Sequence, residues 1–240
     1  MRTLKVVASS VVCALAGTAA VADPILDHVS GGSGTGSYQS QSSAAGSTVC
    51  MDDFEINGTQ GVGPQGAFAI TRVESVFRVE GGAFGPQGFR VNIYTNDGDP
   101  SRQNARTHVE GDRFSRIVSM GDPALSVLPW PFPGETANFP GTFLVRIDFG
   151  LSGPVLPLGS YFLSVVALEQ NPSIQYFVSG SSSTEVGTPG DVFGVFNQGP
   201  GGQIVDFADN AAYRIIGVPG PGAAGLLVLG GVLASRRRRV

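Results

Sequence analysis

An all-β fold, a single jelly-roll-like β-sandwich, is what this sequence predicts, and three observations predict it. Short runs of β-branched and aromatic residues recur from residue 49 onward, punctuated by Gly, Pro, Asn and Asp. Two of the runs alternate apolar with polar residues at a period of two, the mark of a strand with one face in a core. No stretch before residue 218 carries the apolar stripe of an amphipathic helix.

Taken in order, the chain opens on residues 1–22, MRTLKVVASSVVCALAGTAAVA. Arg2 and Lys5 make a basic start, an apolar middle follows, and Ala20 and Ala22 form a small-x-small end. This pattern predicts a secretory signal peptide, cut by signal peptidase before Asp23. Residues 23–48 include SGGSGTGSYQSQSSAAGST, which has no apolar period and reads as a flexible Ser/Gly-rich arm, with a surface loop of the domain as the alternative.

The predicted sandwich domain spans residues 49–217. VCMDDFEI (49–56) is its first strand. In residues 66–82, Phe68 and Ile70 share one phase while Val73, Phe77 and Val79 take the other, which predicts a bulge near Thr71 and Arg72. GFRVNIYT (88–95) alternates with Phe89, Val91 and Ile93 on one face, and NDGDPS (96–101) is a turn. In TFLVRIDFG (142–150), Phe143, Val145, Ile147 and Phe149 face in, while Arg146 and Asp148 face out. SYFLSVVAL (160–168) is apolar on both faces, as a central strand requires. Residues 174–180, 191–197 and 211–217 complete the set. The 35 Gly and 16 Pro stay below the share at which disorder becomes the default, and 15 Phe argue for a real core.

Charge excludes one class of partner. Between residues 23 and 217 there are nine arginines, no lysine and nineteen carboxylates, a net charge of −10. Phosphate neutralisation needs a basic face, so no nucleic-acid partner is expected. Cys50 is the one cysteine outside the leader, so no internal disulfide forms, and it reads as a small buried hydrophobe.

The tail, residues 218–240, is VPGPGAAGLLVLGGVLASRRRRV. Its Leu/Gly/Ala run, counted from Ile215 to Ala234, reaches 20 residues, roughly one bilayer crossing at about 1.5 Å per residue. Pro219 and Pro221 would break the first part of such a helix. Arg236, Arg237, Arg238 and Arg239 would hold its end on the cytoplasmic side. The expectation is a short, weak transmembrane helix. Val218, Pro219, Gly220 and Pro221, then the apolar run, then the four arginines, resemble the PEP-CTERM sorting signal recognised by exosortases. Gly220 stands where that family usually has Glu. The resemblance covers about 23 residues and implies export, a transient hold in the inner membrane, processing near the motif by exosortase, and delivery to the cell surface or extracellular matrix. The body, through DDFEI, VNIYTNDGDPS, LPLGSYFLSVVA and AYRIIG, resembles a β-sandwich domain common in proteins with such anchors. That likeness implies a fold and no activity.

Candidates for chemistry are few. The body has two histidines, His28 just before the arm and His108 in a charged loop, and it lacks G-x-S-x-G, H-E-x-x-H and P-loop motifs. Asp52, Asp53 and Glu55 are the densest acid group. On a strand Asp53 and Glu55 share a face that Asp52 does not, and a solvated edge is the simpler reading than an acid pair. Asn96, Asp97, Gly98 and Asp99 read as a β-turn, with a structural calcium loop as the alternative reading of the same residues. Trp130, Phe132 and Phe139 sit in a Pro-rich loop, LPWPFPGETANFPG. They are expected to plug the end of the sandwich or to stack on a sugar.

The expected function is therefore that of an exported structural or adhesive protein, not an enzyme, with no cofactor. A carbohydrate-binding module acting on exopolysaccharide, stabilised by calcium, is the alternative, with a secreted hydrolase behind it.

Overall fold

The structure is a computed structural model, and it describes residues 24–43, 46–57, 66–96, 110–134, 136–182, 192–196, 203–207 and 210–219. Sixteen strands among them form two sheets packed face to face. The first sheet holds β1 (Pro24–Asp27), β2 (Ser33–Gln39), β5 (Ala67–Glu80), β8 (Leu125–Pro129), β9 (Phe143–Asp148), β10 (Val155–Pro157), β12 (Gln175–Ser181), β15 (Asn210–Ala211) and β16 (Tyr213–Pro219). The second holds β3 (Gln41–Ser43), β4 (Gly46–Ile56), β6 (Gly88–Thr95), β7 (Phe114–Ser119), β11 (Gly159–Leu168), β13 (Val192–Phe196) and β14 (Gln203–Phe207). All pairings are antiparallel except that of β3 with β11. Among the described residues no helix is long and apolar enough to cross a membrane, and the apolar run of the tail lies outside them.

The strand phases follow from alternation. Phe89, Val91 and Ile93 of β6 face the core, and so do Val145, Ile147 and Phe149 at and after β9. They meet Val73, Phe77 and Leu163, and the Phe77 and Phe89 rings lie 5.3 Å apart across the sheets. β11 is apolar on both faces because it is central, paired to β4 on one side and β6 on the other. Its Phe162 and Val166 join Val49, Met51 and Tyr94 in a second cluster on the outer face of that sheet. The expected bulge in β5 is present: Ile216 pairs with Arg72 and Gly217 with Ile70, which leaves Thr71 as the extra residue. The Thr71 hydroxyl donates to the Ile216 carbonyl at 3.2 Å and its own carbonyl accepts from Phe149 N–H at 2.7 Å.

Most of the stretch read as a flexible arm is folded. Residues 24–43 carry β1, β2 and β3, so strands of both sheets precede residue 49, where the sandwich is expected to start. The glycines that resemble a linker serve close backbone approach. A Cβ on Gly34 would lie 2.8 Å from the Ser181 carbonyl carbon, and one on Gly180 would lie 3.0 Å from the Gly36 oxygen. β2 is thus held to β12 by its ladder, with Tyr38 reaching into the core. At Ser40 the chain leaves the first sheet for the second. Its N–H donates to Tyr176 O (3.0 Å) and its carbonyl accepts from Ala167 N–H (3.1 Å).

Three tyrosines are placed to resist ionisation. Burial pushes Tyr176 up to about 12, helped by its bond to the Glu169 carboxylate at 3.1 Å. Burial also raises Tyr161 and Tyr213. A folded value above the unfolded one contributes stability below about pH 10 and loses it as pH rises toward 12. Alkaline titration should therefore show these tyrosinates appearing together with unfolding. Tyr176→Phe should shift that unfolding to higher pH, and an unmoved midpoint would exclude Tyr176 as a contributor.

Candidate functional site

The most densely bonded polar group lies between the sheets. His28 follows β1 and donates its N–H to the Tyr213 carbonyl at 2.9 Å, which extends the ladder beside β16. Asp52 comes from β4 of the other sheet. The period of two places it in phase with Cys50, Phe54 and Ile56, so it points into the core. The two meet through Nδ1 of His28 and Oδ2 of Asp52 at 3.0 Å, with exposures of 1 % and 0 %. Oδ2 also accepts from Ala211 N–H (2.9 Å), and Oδ1 accepts from Asp53 N–H (3.0 Å). Ser181 Oγ donates to the His28 carbonyl.

A second bridge lies alongside. Tyr213 donates its hydroxyl to the Cys50 carbonyl (3.0 Å) and accepts from Val165 N–H (3.4 Å). Ser40 donates to the Val165 carbonyl at 2.6 Å and accepts from Cys50 N–H at 3.4 Å. Together these residues link β1, β4, β11 and β16.

The electrostatics fit a clamp. Burial raises the Asp52 carboxyl above its ordinary range, against the lowering effect of His28 and two amides. Burial and then Asp52 push the Cys50 thiol well up. It stays a thiol, inert as a nucleophile and packed as a small hydrophobe. A histidine on a carboxylate is the orienting half of a catalytic triad. Enclosed on every side, this one joins two sheets.

The outer face of the first sheet carries a row of charges in register. Asp27, Arg214, Glu74 and Arg146 stand opposite one another on β1, β16, β5 and β9. Arg214 Nε reaches Asp27 at 2.8 Å and its Nη1 reaches Glu74 at 2.9 Å, while Arg146 Nε reaches Glu74 at 2.6 Å. Arg72 joins from the side, 2.5 Å from Asp148 and 3.9 Å from Glu74. Three arginines balance three carboxylates, and Glu74 is 1 % exposed. Burial alone would raise Asp27, but bonds from Ser30 and Arg214 hold it below the ordinary carboxylate range.

The adjoining row is apolar, and here the aromatic loop lies. Phe132 (2 % exposed) and Phe139 (0 %) pack on Val29, Val76, Leu144 and Ala212, with Trp130 half-buried beside them. The Trp130 and Phe132 rings meet edge to face at 5.5 Å. Val76 and Leu144 point away from the inter-sheet core. The loop is thus neither a plug in the end of the sandwich nor an exposed platform. It forms a local third layer over one sheet. The reason is the apolar row itself, which a β8–β9 connection can reach by folding back.

The other predicted residues are scattered or undescribed. Asp53 is half-buried and Glu55 exposed on the outer face of β4, apart from the enclosed Asp52. Val218 and Pro219 are the last residues of β16, paired to Ala69 and Phe68. Ala20, Ala22, Asp23, His108, Asp97, Gly98, Asp99, Gly220, Pro221, Arg236, Arg237, Arg238 and Arg239 lie outside the described residues. Among the described residues no three His, Cys, Asp or Glu side chains gather as a metal site. The His28–Asp52 pair had one legible signal, the shared phase of Asp52 with Phe54 and Ile56. Glu74 and its arginines had none, because their partners are remote in sequence. No protein-family model, curated protein or solved structure matches this chain.

Proposed function

We propose that this chain is an exported, jelly-roll-like β-sandwich that acts as a structural or adhesive module at the cell surface or in the extracellular matrix, delivered there by its tail. The observation that carries the reading is the junction at Pro219. Val218 and Pro219, which open the Val-Pro-Gly-Pro motif, are also the last two rungs of β16 against β5. A cut beyond Pro219 would release the domain with its closing strand in place. The partners of this route are signal peptidase, the inner membrane during transit and an exosortase. The enclosure of His28 and Asp52 supports a body built for cohesion over one that meets a substrate. Mass spectrometry of the protein from its native host tests the route. The expected mature form begins at Asp23 and ends near Val218 and Pro219, and deleting residues 236–239 should abolish its release. A chain ending at Val240 in the membrane fraction would make the tail a plain anchor and overturn the sorting reading.

A further inference from the structure

The corner where the chain changes sheets also builds a cleft. In Gln39-Ser40-Gln41-Ser42-Ser43, alternation puts Gln39, Gln41 and Ser43 on one face. Thr48 stands opposite Gln41 in the β3–β4 ladder. Gln175, at the start of β12, and Pro172 before it close the other side. These six side chains line a cleft of about 170 Å³.

Two properties define what fits. First, no charged side chain lines it, in a body with nineteen carboxylates and nine arginines. Such a lining offers neither a counter-ion for an anion nor a carboxylate for a cation. Second, its floor is fixed. Gln41 is 5 % exposed; its Nε2 donates to the Ile174 carbonyl and its Oε1 accepts from Tyr176 N–H, both at 3.1 Å. Each of those atoms keeps one further N–H or lone pair. Gln39 is half-buried and Gln175 exposed, and each brings an amide with both donors and acceptors. Mixed donors and acceptors on a rigid floor suit groups that both give and take a hydrogen bond, which means hydroxyls. Pro172 adds an apolar surface for C–H groups. The volume is below the roughly 300–1,000 Å³ of sites for drug-sized ligands, so it holds one ring and not an oligomer.

We propose that this cleft binds a neutral sugar residue, as a free monosaccharide or as one unit of an uncharged glycan. This site differs from the aromatic loop, and it does not depend on how the tail is processed. A rigid floor lowers the ordering cost of binding, yet the contacts are few and polar, so the affinity is expected to be near 1 mM.

The test is ligand-observed NMR and calorimetry on the purified full chain. Glucose, galactose, mannose and a neutral oligosaccharide are the probes, with glucuronate as the charged comparison. Saturable binding of at least one neutral sugar is expected, with glucuronate weaker. Gln39→Ala and Gln175→Ala, both at solvent-reached positions, should each weaken it about tenfold while leaving the melting temperature unchanged. Trp130→Ala should leave binding intact. Absence of saturable binding by every neutral sugar would overturn the proposal. So would binding that survives the Gln39/Gln175 double variant, or binding that Trp130→Ala abolishes. Because none of these readouts involves release of the tail, they stand or fall separately from the sorting route.

Discussion

His28→Ala is expected to cost about 3–5 kcal/mol of folding stability, because it strips one partner from a carboxylate buried between two sheets. The remaining donors to Asp52, the amides of Ala211 and Asp53, leave its Oδ2 with one bond in place of two. Asp52→Asn should cost less, about 1–3 kcal/mol. An amide has one oxygen, which would take the two donors at the Oδ2 position and set its NH₂ against the Asp53 N–H. Equilibrium urea unfolding measures both. Losses below about 0.5 kcal/mol for both variants would show that the pair does not hold the sheets together.

Acid should separate this carboxylate from Asp27. Asp52 titrates above its unfolded value of 3.8 when folded, so its contribution is full below that pH and falls as pH rises through the folded value. Asp27 titrates below 3.8 when folded, so its contribution is present above that pH and is lost on acidification. The cost of Asp52→Asn should therefore grow toward low pH, while that of Asp27→Asn should shrink. Parallel trends in the two variants would contradict the assignment.

Glu74→Ala is the second large effect, with an expected loss of about 3 kcal/mol. Glu74 is the shared acceptor of Arg146 and Arg214, so removing it leaves two guanidinium groups facing each other across β5. Both are shielded, at 28 % and 14 % side-chain exposure, so added salt should recover little of the loss. A double-mutant cycle of Glu74→Ala with Arg214→Ala isolates the pair, and a coupling above about 1 kcal/mol is expected. A coupling near zero would make the row a solvated decoration of the sheet. Glu74→Gln, which keeps one acceptor and the shape, should recover part of the stability.

Both clusters show why the candidate site was less legible than the fold. Glu74 pairs with residues 72 and 140 positions away, and His28 with one 24 away. No local spacing announces such partners. The aromatic loop was visible as a feature, but its placement depended on an apolar row on the outer face of β5 and β9, where the alternation singled out only Arg146 and Asp148 as facing out. The strands within residues 24–43 leave no trace in the sequence for a related reason. Its order comes from backbone ladders and from glycines that let β2 approach β12, and neither leaves an apolar period to detect.

What the sequence determined by itself is the all-β character and the phase of each strongly alternating strand. The period of two in residues 88–95 and 142–150, the doubly apolar run at 160–168 and the phase break at Thr71 all reappear as paired strands and a bulge. These are local properties, written by side chains that must alternate between core and solvent. Only the tertiary structure decided which strands meet, that residues 24–43 belong to the sandwich, and that Asp52 finds His28 inside it. Those outcomes depend on closing long loops and satisfying buried polar groups across two sheets. Such closure is a property of the whole chain, and no short window of residues contains it.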